Sequence, residues 1–175
     1  MSTYVAFLRA INVGGRNVGM AELRQLFTEM GFADVESFIA SGNIIFGAEF
    51  EEAVTDLERP IEVYLHAALG YEVATFVRTP VEVAAIAARQ PFGAKGGSLQ
   101  YGLVATPLGV EAQAALRALA TDADLLAHEG REIAWLRPDT AASKLTNRHI
   151  ERAIGMPATF RNTTTMRRLA VKCGG

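Results

Sequence analysis

Residues 4–31 read YVAFLRAINVGGRNVGMAELRQLFTEMG, and this stretch decides the fold class because a strand, a turn and a helix follow one another in it. Residues 4–11 are almost continuously apolar, as in a central strand. Residues 12–19 are rich in Gly and Asn, which favour turns. Apolar residues then recur at helical spacing, and they are Met20, Leu23, Leu26, Phe27 and Met30. Gly31 stands where a left-handed residue ends a helix.

The rest of the first half predicts two more strands, a second helix and a closing strand. Residues 35–40 and 44–48 are the two strands, joined by a tight connection. A second helical pattern covers residues 50–69, and Pro60 predicts a break or kink in it because proline lacks a backbone donor and clashes with the preceding turn. Residues 71–78 are the closing strand. The order βαββαβ is that of a ferredoxin-like unit.

A helix start and a linker follow the first half. Thr79 can cap a helix, Pro80 suits the first helical position, and Glu82 can complete a capping box. Residues 91–97, PFGAKGG, predict a flexible linker. We therefore predict a first half over residues 1–90, the linker over 91–97, and a second half over 98–175.

The second half repeats the order of the first. Its predicted elements are a strand at 99–105, a helix at 110–119, a hairpin of strands 125–128 and 133–136, a helix at 145–154, a strand at 158–161 and a final helix. The triplet Ala-Thr-Phe occurs at 74–76 and again at 158–160, each time after a helix that ends in glycine. The sequence thus predicts an α+β fold of two tandem ferredoxin-like (βαββαβ) halves.

The composition is that of a folded protein in a reducing compartment. Half of the 175 residues are hydrophobic, and Cys173 is the single cysteine, so an intrachain disulfide and a CxxC metal site are excluded. The first ten residues lack the basic start of a signal peptide, and no apolar run approaches the roughly 20 residues of a membrane span. We expect a cytoplasmic protein without membrane contact.

The charge is distributed unevenly. The net charge is −2, yet residues 143–175 contain seven Lys and Arg residues against Glu151 alone. A basic C-terminal region attracts an anionic ligand or RNA. The alternative is that these charges are solvated or pair with the acidic remainder of the chain.

The most distinctive polar stretch is RAINVGGRN at residues 9–17, which leaves a strand and enters a helix. Free amides at a helix start, glycines that let a ligand approach, and two arginines suit an anion. The spacing matches neither the G-x-G-x-x-G fingerprint nor a P-loop. The candidate ligand-binding residues here are Arg9, Asn12, Gly14, Gly15 and Arg16. The alternative is a tight turn that uses Gly and Asn at positive φ.

Further candidate ligand-binding residues come from three other stretches: Ser41, Gly42, Asn43, Lys144, Arg161 and Asn162. The first three also suit a plain hairpin turn, and Asn162 also suits a helix N-cap. Arg, Asn, Ser and Lys hold an anion better than they move a proton at neutral pH.

Signals for catalysis are weak in the sequence, and no metal-binding spacing occurs. His66, His128 and His149 lack metal-ligand spacing, and we expect His66 and His149 on helix surfaces. Cys173 lies on an apolar helical face, which predicts a packing role. No nucleophile elbow occurs. We expect no metal and no cofactor, and catalytic residues stay unassigned.

Several motifs together resemble the bacterial "domain of unknown function 1697" family over essentially the whole chain. They are YVAFLRAINVGGRN, MAELRQLFTEMGF, SFIASGNIIF, FVRTPVE, QPF, SKL and TFRNTTT. The resemblance implies two tandem ferredoxin-related halves and brings no established activity. The family's signature polar positions fall on Arg9, Asn12, Gly14, Gly15, Ser41, Gly42, Asn43, Lys144, Arg161 and Asn162. Thr163 stands where the family often has an aromatic residue.

Three functions remain open from the sequence. The first is binding of a phosphate- or carboxylate-bearing small molecule in a cleft between the halves, with or without a reaction. The second is RNA binding through the basic C-terminal region, although residues 41–46 contain one aromatic residue where RNA-recognition domains have several. The third is a structural or interaction module whose polar signature only shapes turns.

Overall fold

The computed structural model describes residues 1–12, 14–15, 17–39, 42–49 and 53–174. It divides into two compact units, one of residues 1–84 with 168–175 and one of residues 85–167. These limits fall inside two helices. The limits predicted from the sequence, 1–90, 91–97 and 98–175, stay a prediction about the halves as folding units.

The first unit contains a four-stranded antiparallel sheet with the strand order β2-β3-β1-β4. Its elements, with the helix that leads out of it, are β1 (Ser2–Leu8), α1 (Met20–Glu29), β2 (Ala33–Ser37), β3 (Asn43–Ala48), a short 3₁₀ helix (Val54–Leu57), α2 (Glu58–Leu69), β4 (Thr75–Arg78) and α3 (Pro80–Ala88). Tyr4 to Leu8 are all buried, so β1 is covered on both faces, as its continuous apolar sequence predicts.

Pro60 causes no break, contrary to the sequence-based expectation. Helix α2 begins at Glu58, two residues before the proline, after the 3₁₀ helix has ended at Leu57. Pro60 therefore lies in the first turn, where a backbone N–H has no intrahelical partner and its loss costs little. The predicted helix start at Phe50 lies outside the described residues.

The second unit contains a sheet with the matching order β6-β7-β5-β8. Its elements are β5 (Ser98–Leu103), α4 (Val110–Ala118), β6 (Leu125–Glu129), β7 (Glu132–Arg137), α5 (Asn147–Ile154), β8 (Thr159–Asn162) and α6 (Thr163–Lys172), the last of which continues into the first unit. The α+β class is therefore confirmed, with two four-stranded antiparallel sheets and six α-helices among the described residues.

The repeated Ala-Thr-Phe triplets lie at corresponding places in the two sheets. Thr75 pairs with Leu8 on the central strand β1, and Thr159 pairs with Leu103 on the central strand β5. In each case the following phenylalanine continues the antiparallel ladder. The two fourth strands thus share one register with respect to their central strands.

Each unit has a hydrophobic core of its own, formed between one sheet face and its helices. The rings of Phe27 and Phe46 pack at a tilt of 60° with their centroids 5.5 Å apart in the first core. Trp135 and Phe160 meet edge to face at 5.8 Å in the second. None of the helices in the described part of the chain is both long and apolar enough to span a lipid bilayer.

We predict that Gly102→Ala destabilises the protein by about 1–3 kcal/mol, because a Cβ at this buried position of β5 would lie 2.6 Å from the ring of Phe160. Urea unfolding measures the loss. Gly96→Ala is the matched control, since its Cβ would meet nothing within 4 Å, and we expect a change within about 0.5 kcal/mol. Equal free energies of unfolding for the two variants would contradict this packing.

Candidate functional site

Two of the predicted polar stretches meet at one end of the first sheet. The amide of Leu8, the last residue of β1, donates to the carbonyl of Gly42 at 2.8 Å, and the amide of Arg9 donates to the carbonyl of Ala74 at 2.9 Å. The loop after β1 therefore lies beside the starts of β3 and β4. Arg9 is half-buried there.

In the loop after β1, the side chain of Asn12 and two glycines stabilise the turn itself. Asn12 Oδ1 accepts a hydrogen bond from the amide of Val18 at 2.8 Å, which closes the loop across six residues. Gly14 and Gly15 are exposed and have φ angles of +67° and +82°, which favour glycine. The candidate residues Arg16 and Ser41 lie outside the described residues. The described part of the loop is thus accounted for by backbone geometry.

The other candidates of the first unit, Gly42 and Asn43, are packed inside. A Cβ on Gly42 would lie 3.1 Å from Cγ2 of Ile11, and its φ is +75°, so the position requires glycine. Asn43 is fully buried, and its side-chain amide donates to the carbonyl of Phe38 at 3.0 Å. Both residues hold the β2–β3 connection in place.

The three candidates of the second unit have different environments. Lys144 is exposed. Arg161 is 7% exposed and donates to Oγ1 of Thr159 at 2.8 Å and to the carbonyl of Phe160 at 3.0 Å. Burial lowers the pKa of Arg161 to about 10, so its guanidinium remains charged at pH 7. Arg9 and Arg161 belong to different units, and their predicted meeting in one cleft stays a prediction.

Asn162 is the helix N-cap that the sequence offered as an alternative, and it also lines a cavity. Its Oδ1 accepts from the amide of Thr165 at 2.7 Å and so begins α6. Thr163 Oγ1 donates to the carbonyl of Leu99 at 3.0 Å, which ties the first turn of α6 to β5. The start of α6 is therefore fixed from both sides.

The cavity beside this helix start has a volume of about 620 Å³ and lies entirely within the second unit. The segment from Arg89 to Lys95 forms one wall, and Asn162, Thr163, Thr164 and Arg167 at the start of α6 form another. Residues 97–99 and Leu136 complete the lining. Gly97, at φ +130°, leaves no room for a side chain because a Cβ would overlap the carbonyl of Arg137.

Positive charge dominates the cavity, and none of its lining residues is acidic. Arg89 forms salt bridges with two residues that do not line the cavity. Its Nη1 lies 3.0 Å from Oε2 of Glu132, and its Nε lies 3.5 Å from Oε2 of Glu129. Lys95 and Arg167 are exposed and form no salt bridge with any residue that the structure describes. Two cations are thus available to a ligand.

The positive charges of Arg89 and Arg167 also act on the phenol of Tyr101. Burial raises the pKa of its phenol, while the positive charges of Arg89 and Arg167 act in the opposite direction. The phenol donates to the carbonyl of Arg89 at 2.9 Å and so anchors the first wall of the cavity. A partly buried hydrogen bond therefore fixes the start of the segment that lines the cavity.

Sequence reasoning named Asn162 as a candidate and counted Arg167 in the basic C-terminal region, but it assigned Arg89 and Lys95 to no site. Arg89 and Lys95 flank the segment PFG, and Arg167 follows the N-cap by five residues. The available signal was a pair of basic residues around a Pro/Gly segment, which we interpreted only as a linker. That the segment faces the start of α6 depends on tertiary structure.

The basic C-terminal region is only partly free. Lys172 Nζ lies 2.9 Å from Oε1 of Glu36, and the guanidinium of Arg168 lies 5.7 Å from the centre of the Phe38 ring. Arg161 is buried. The remaining basic residues, which are exposed, are Lys144, Arg148, Arg152 and Arg167.

The histidines and the cysteine give no catalytic arrangement. His149 Nδ1 accepts from the amide of Thr146 at 3.2 Å and completes the capping box of α5. His66 is exposed on α2, and His128 lies on β6. Within the described ranges, no three His, Cys, Asp or Glu side chains are grouped as metal ligands. Cys173 is half-buried, and burial raises the pKa of its thiol.

Comparison with known proteins identifies a family and a related fold. Residues 1–133 match the family model described as "Protein of unknown function (DUF1697)". Conserved bacterial protein SP0830 from Streptococcus pneumoniae has a similar structure, with a TM-score of 0.76, 23% sequence identity and 98% of each chain covered. At this identity the likeness extends to the fold alone. Comparison with curated proteins found no match.

We predict that Cys173 reacts slowly with a thiol reagent in the native protein. Its raised pKa leaves less thiolate at pH 8, and its half-buried position restricts access. The labelling rate of the native protein should be several-fold lower than that of the urea-unfolded chain, which serves as the control. A native rate equal to or above the unfolded rate would contradict the packing role predicted from the sequence.

Proposed function

We propose that this chain, which belongs to the DUF1697 family of proteins of unknown function, binds a phosphate- or carboxylate-bearing small molecule in the cavity of its second unit. The observation that carries the proposal is the pair of exposed cations, Lys95 and Arg167, on a cavity without an acidic lining residue. Unneutralised cations around a concave site attract an anion.

The groups around the cavity are of the kinds that hold an oxyanion. Arg167 offers a planar guanidinium fork, which matches a carboxylate or phosphate with two parallel hydrogen bonds. Lys95, which also lines the cavity, adds a compact charge. Thr163 and Thr164 stand in the first turn of α6, at the positive end of the helix dipole. These contributions reinforce one another because all of them favour negative charge.

The size of the cavity favours a small molecule over an inorganic ion. Binding sites for small ligands have volumes of about 300–1,000 Å³, and this cavity has about 620 Å³. Phe92, Leu99 and Leu136 contribute apolar surface among the polar groups. A ligand with an anionic group and an apolar or ring-bearing body fits such a lining.

The polar signature of the first unit supports a structural role more than ligand contact. Asn12 closes a loop, Gly42 is packed against Ile11, and Asn43 is buried with its amide hydrogen-bonded. A ligand site around Arg9, in a cleft between the halves, remains the alternative proposal from the sequence. If the ligand binds there, a substitution of Arg9 rather than of Arg167 should abolish binding. One experiment therefore distinguishes the two sites.

RNA binding through the basic C-terminal region receives weaker support. Three of its basic side chains are buried or already in contact with other groups. Arg161 is buried, Lys172 forms a salt bridge with Glu36, and the guanidinium of Arg168 lies over the ring of Phe38. Non-specific RNA binding needs several phosphate contacts and is therefore strongly salt-dependent. Salt-dependent binding of single-stranded RNA that survives Arg167→Gln would favour this function over the cavity.

We also propose that the two halves are ferredoxin-like units related by tandem duplication. The proposal is supported by the identical βαββαβ element order, the matching strand orders and the shared register of the Thr-Phe pairs. A cytoplasmic location is supported by the single, unpaired cysteine.

We predict that a thermal-shift screen of phosphorylated and carboxylated metabolites finds a stabilising ligand, since saturation at 100 times Kd adds about 2.7 kcal/mol. Arg167→Gln should abolish the shift, while the control Arg148→Gln, at an exposed position of α5, should retain it. Loss in Arg9→Ala with retention in Arg167→Gln would instead favour the site predicted from the sequence. No shift with any anion would favour the interaction-module function.

A further inference from the structure

We infer that the ligand of this cavity is a nucleoside monophosphate, that is, a phosphate monoester joined through a sugar to an aromatic ring. The inference rests on the proposed function and specifies its ligand class. It combines three features of the second unit: the number of available cations, an aromatic residue on the cavity wall, and unused polar groups between them.

The charge of the cavity suits a dianion. Arg89 is neutralised by Glu129 and Glu132, which leaves the charges of Lys95 and Arg167 uncompensated among the described residues. A phosphate monoester carries close to two negative charges at pH 7 because its second pKa is about 6. A monocarboxylate carries one charge and would leave one cation unmatched.

The segment from Arg89 to Lys95 carries the aromatic group. Phe92 is half-buried and lines the cavity next to Pro91. The flat faces of phenylalanine and of a nucleobase stack regardless of the identity of the base. Phe92, the apolar side chain of Leu99 and the start of α6 all line this one cavity, so a ligand in it could meet Phe92 with its ring and the start of α6 with its phosphate.

Polar groups remain for the sugar and the base edge. Gln90 lines the cavity, and its side chain makes no hydrogen bond within the described part of the chain. Thr164 stands exposed in the first turn of α6. A carboxamide and a hydroxyl can donate and accept, so they suit ribose hydroxyls and exocyclic base groups without selecting one base.

The test is isothermal titration of the full chain with AMP and UMP, compared with ribose 5-phosphate, inorganic phosphate and adenosine. We expect both nucleotides to bind about tenfold or more tightly than ribose 5-phosphate, because stacking adds to the phosphate contacts. Affinity should rise between pH 5 and pH 7, as the phosphate loses its second proton and becomes a dianion. Adenosine should bind weakest.

Two substitutions separate the contribution of ring stacking from that of the phosphate contact. Phe92→Leu should lower nucleotide affinity about tenfold and leave that of ribose 5-phosphate unchanged. Phe38→Leu, in the first unit, is the matched control and should alter neither. Arg167→Gln should weaken nucleotides and ribose 5-phosphate equally, because both present the same phosphate.

The outcomes separate this inference from the proposed function. Equal affinities for nucleotides, ribose 5-phosphate and phosphate, with Phe92→Leu unchanged and Arg167→Gln impaired, would overturn the nucleotide and leave the anion site standing. If none of the five compounds binds and the metabolite screen finds no ligand, both the nucleotide inference and the proposed anion site are overturned. Nucleotide binding that Arg167→Gln does not affect would place the ligand elsewhere and also overturn both.

Discussion

Everything in the two sheets depends on a central strand that has hydrogen-bonded neighbours on both sides. β1 pairs with β3 and β4, and β5 pairs with β7 and β8. The last part of each central strand is buried, Tyr4 to Leu8 in β1 and Tyr101 to Leu103 in β5, and these segments contain no charged residue. The distinctive polar stretches lie at strand ends and helix starts instead. Residues 9–12 and 162–167 both lie at such places, and of these two only 162–167 borders the cavity.

A signature rich in Gly and Asn has two physical meanings that the sequence cannot separate. Positive φ and short amide side chains serve tight turns, and they also let a ligand approach the backbone. Asn43 illustrates the first meaning, because its side chain is fully buried and bonded to Phe38. Gly42 does likewise through its close approach to Ile11. The chemistry that we propose therefore uses less conspicuous residues, Lys95 and Arg167.

Whether an arginine is available to a ligand depends on the groups that surround it. Arg78 is fully buried, and its Nη1 lies 3.6 Å from Oε1 of Glu58, the first residue of α2. Removing one partner of such a pair commonly costs about 3–5 kcal/mol, because the other charge is left buried. Arg167 is exposed on a cavity wall, where its charge stays hydrated and is available to a solute. Both are arginines near the end of a strand or the start of a helix.

Local interactions explain what the sequence by itself determined. The capping box of Thr79 and Glu82 forms as predicted, and Gly70 and Gly155 end their helices at positive φ, because caps involve residues within one turn of each other. The order of strands and helices follows from the same short-range periodicity. The tertiary structure alone decided the cavity: Thr163 and Leu99, which tie its walls together, are 64 residues apart, and such contacts arise from sheet pairing rather than from local sequence.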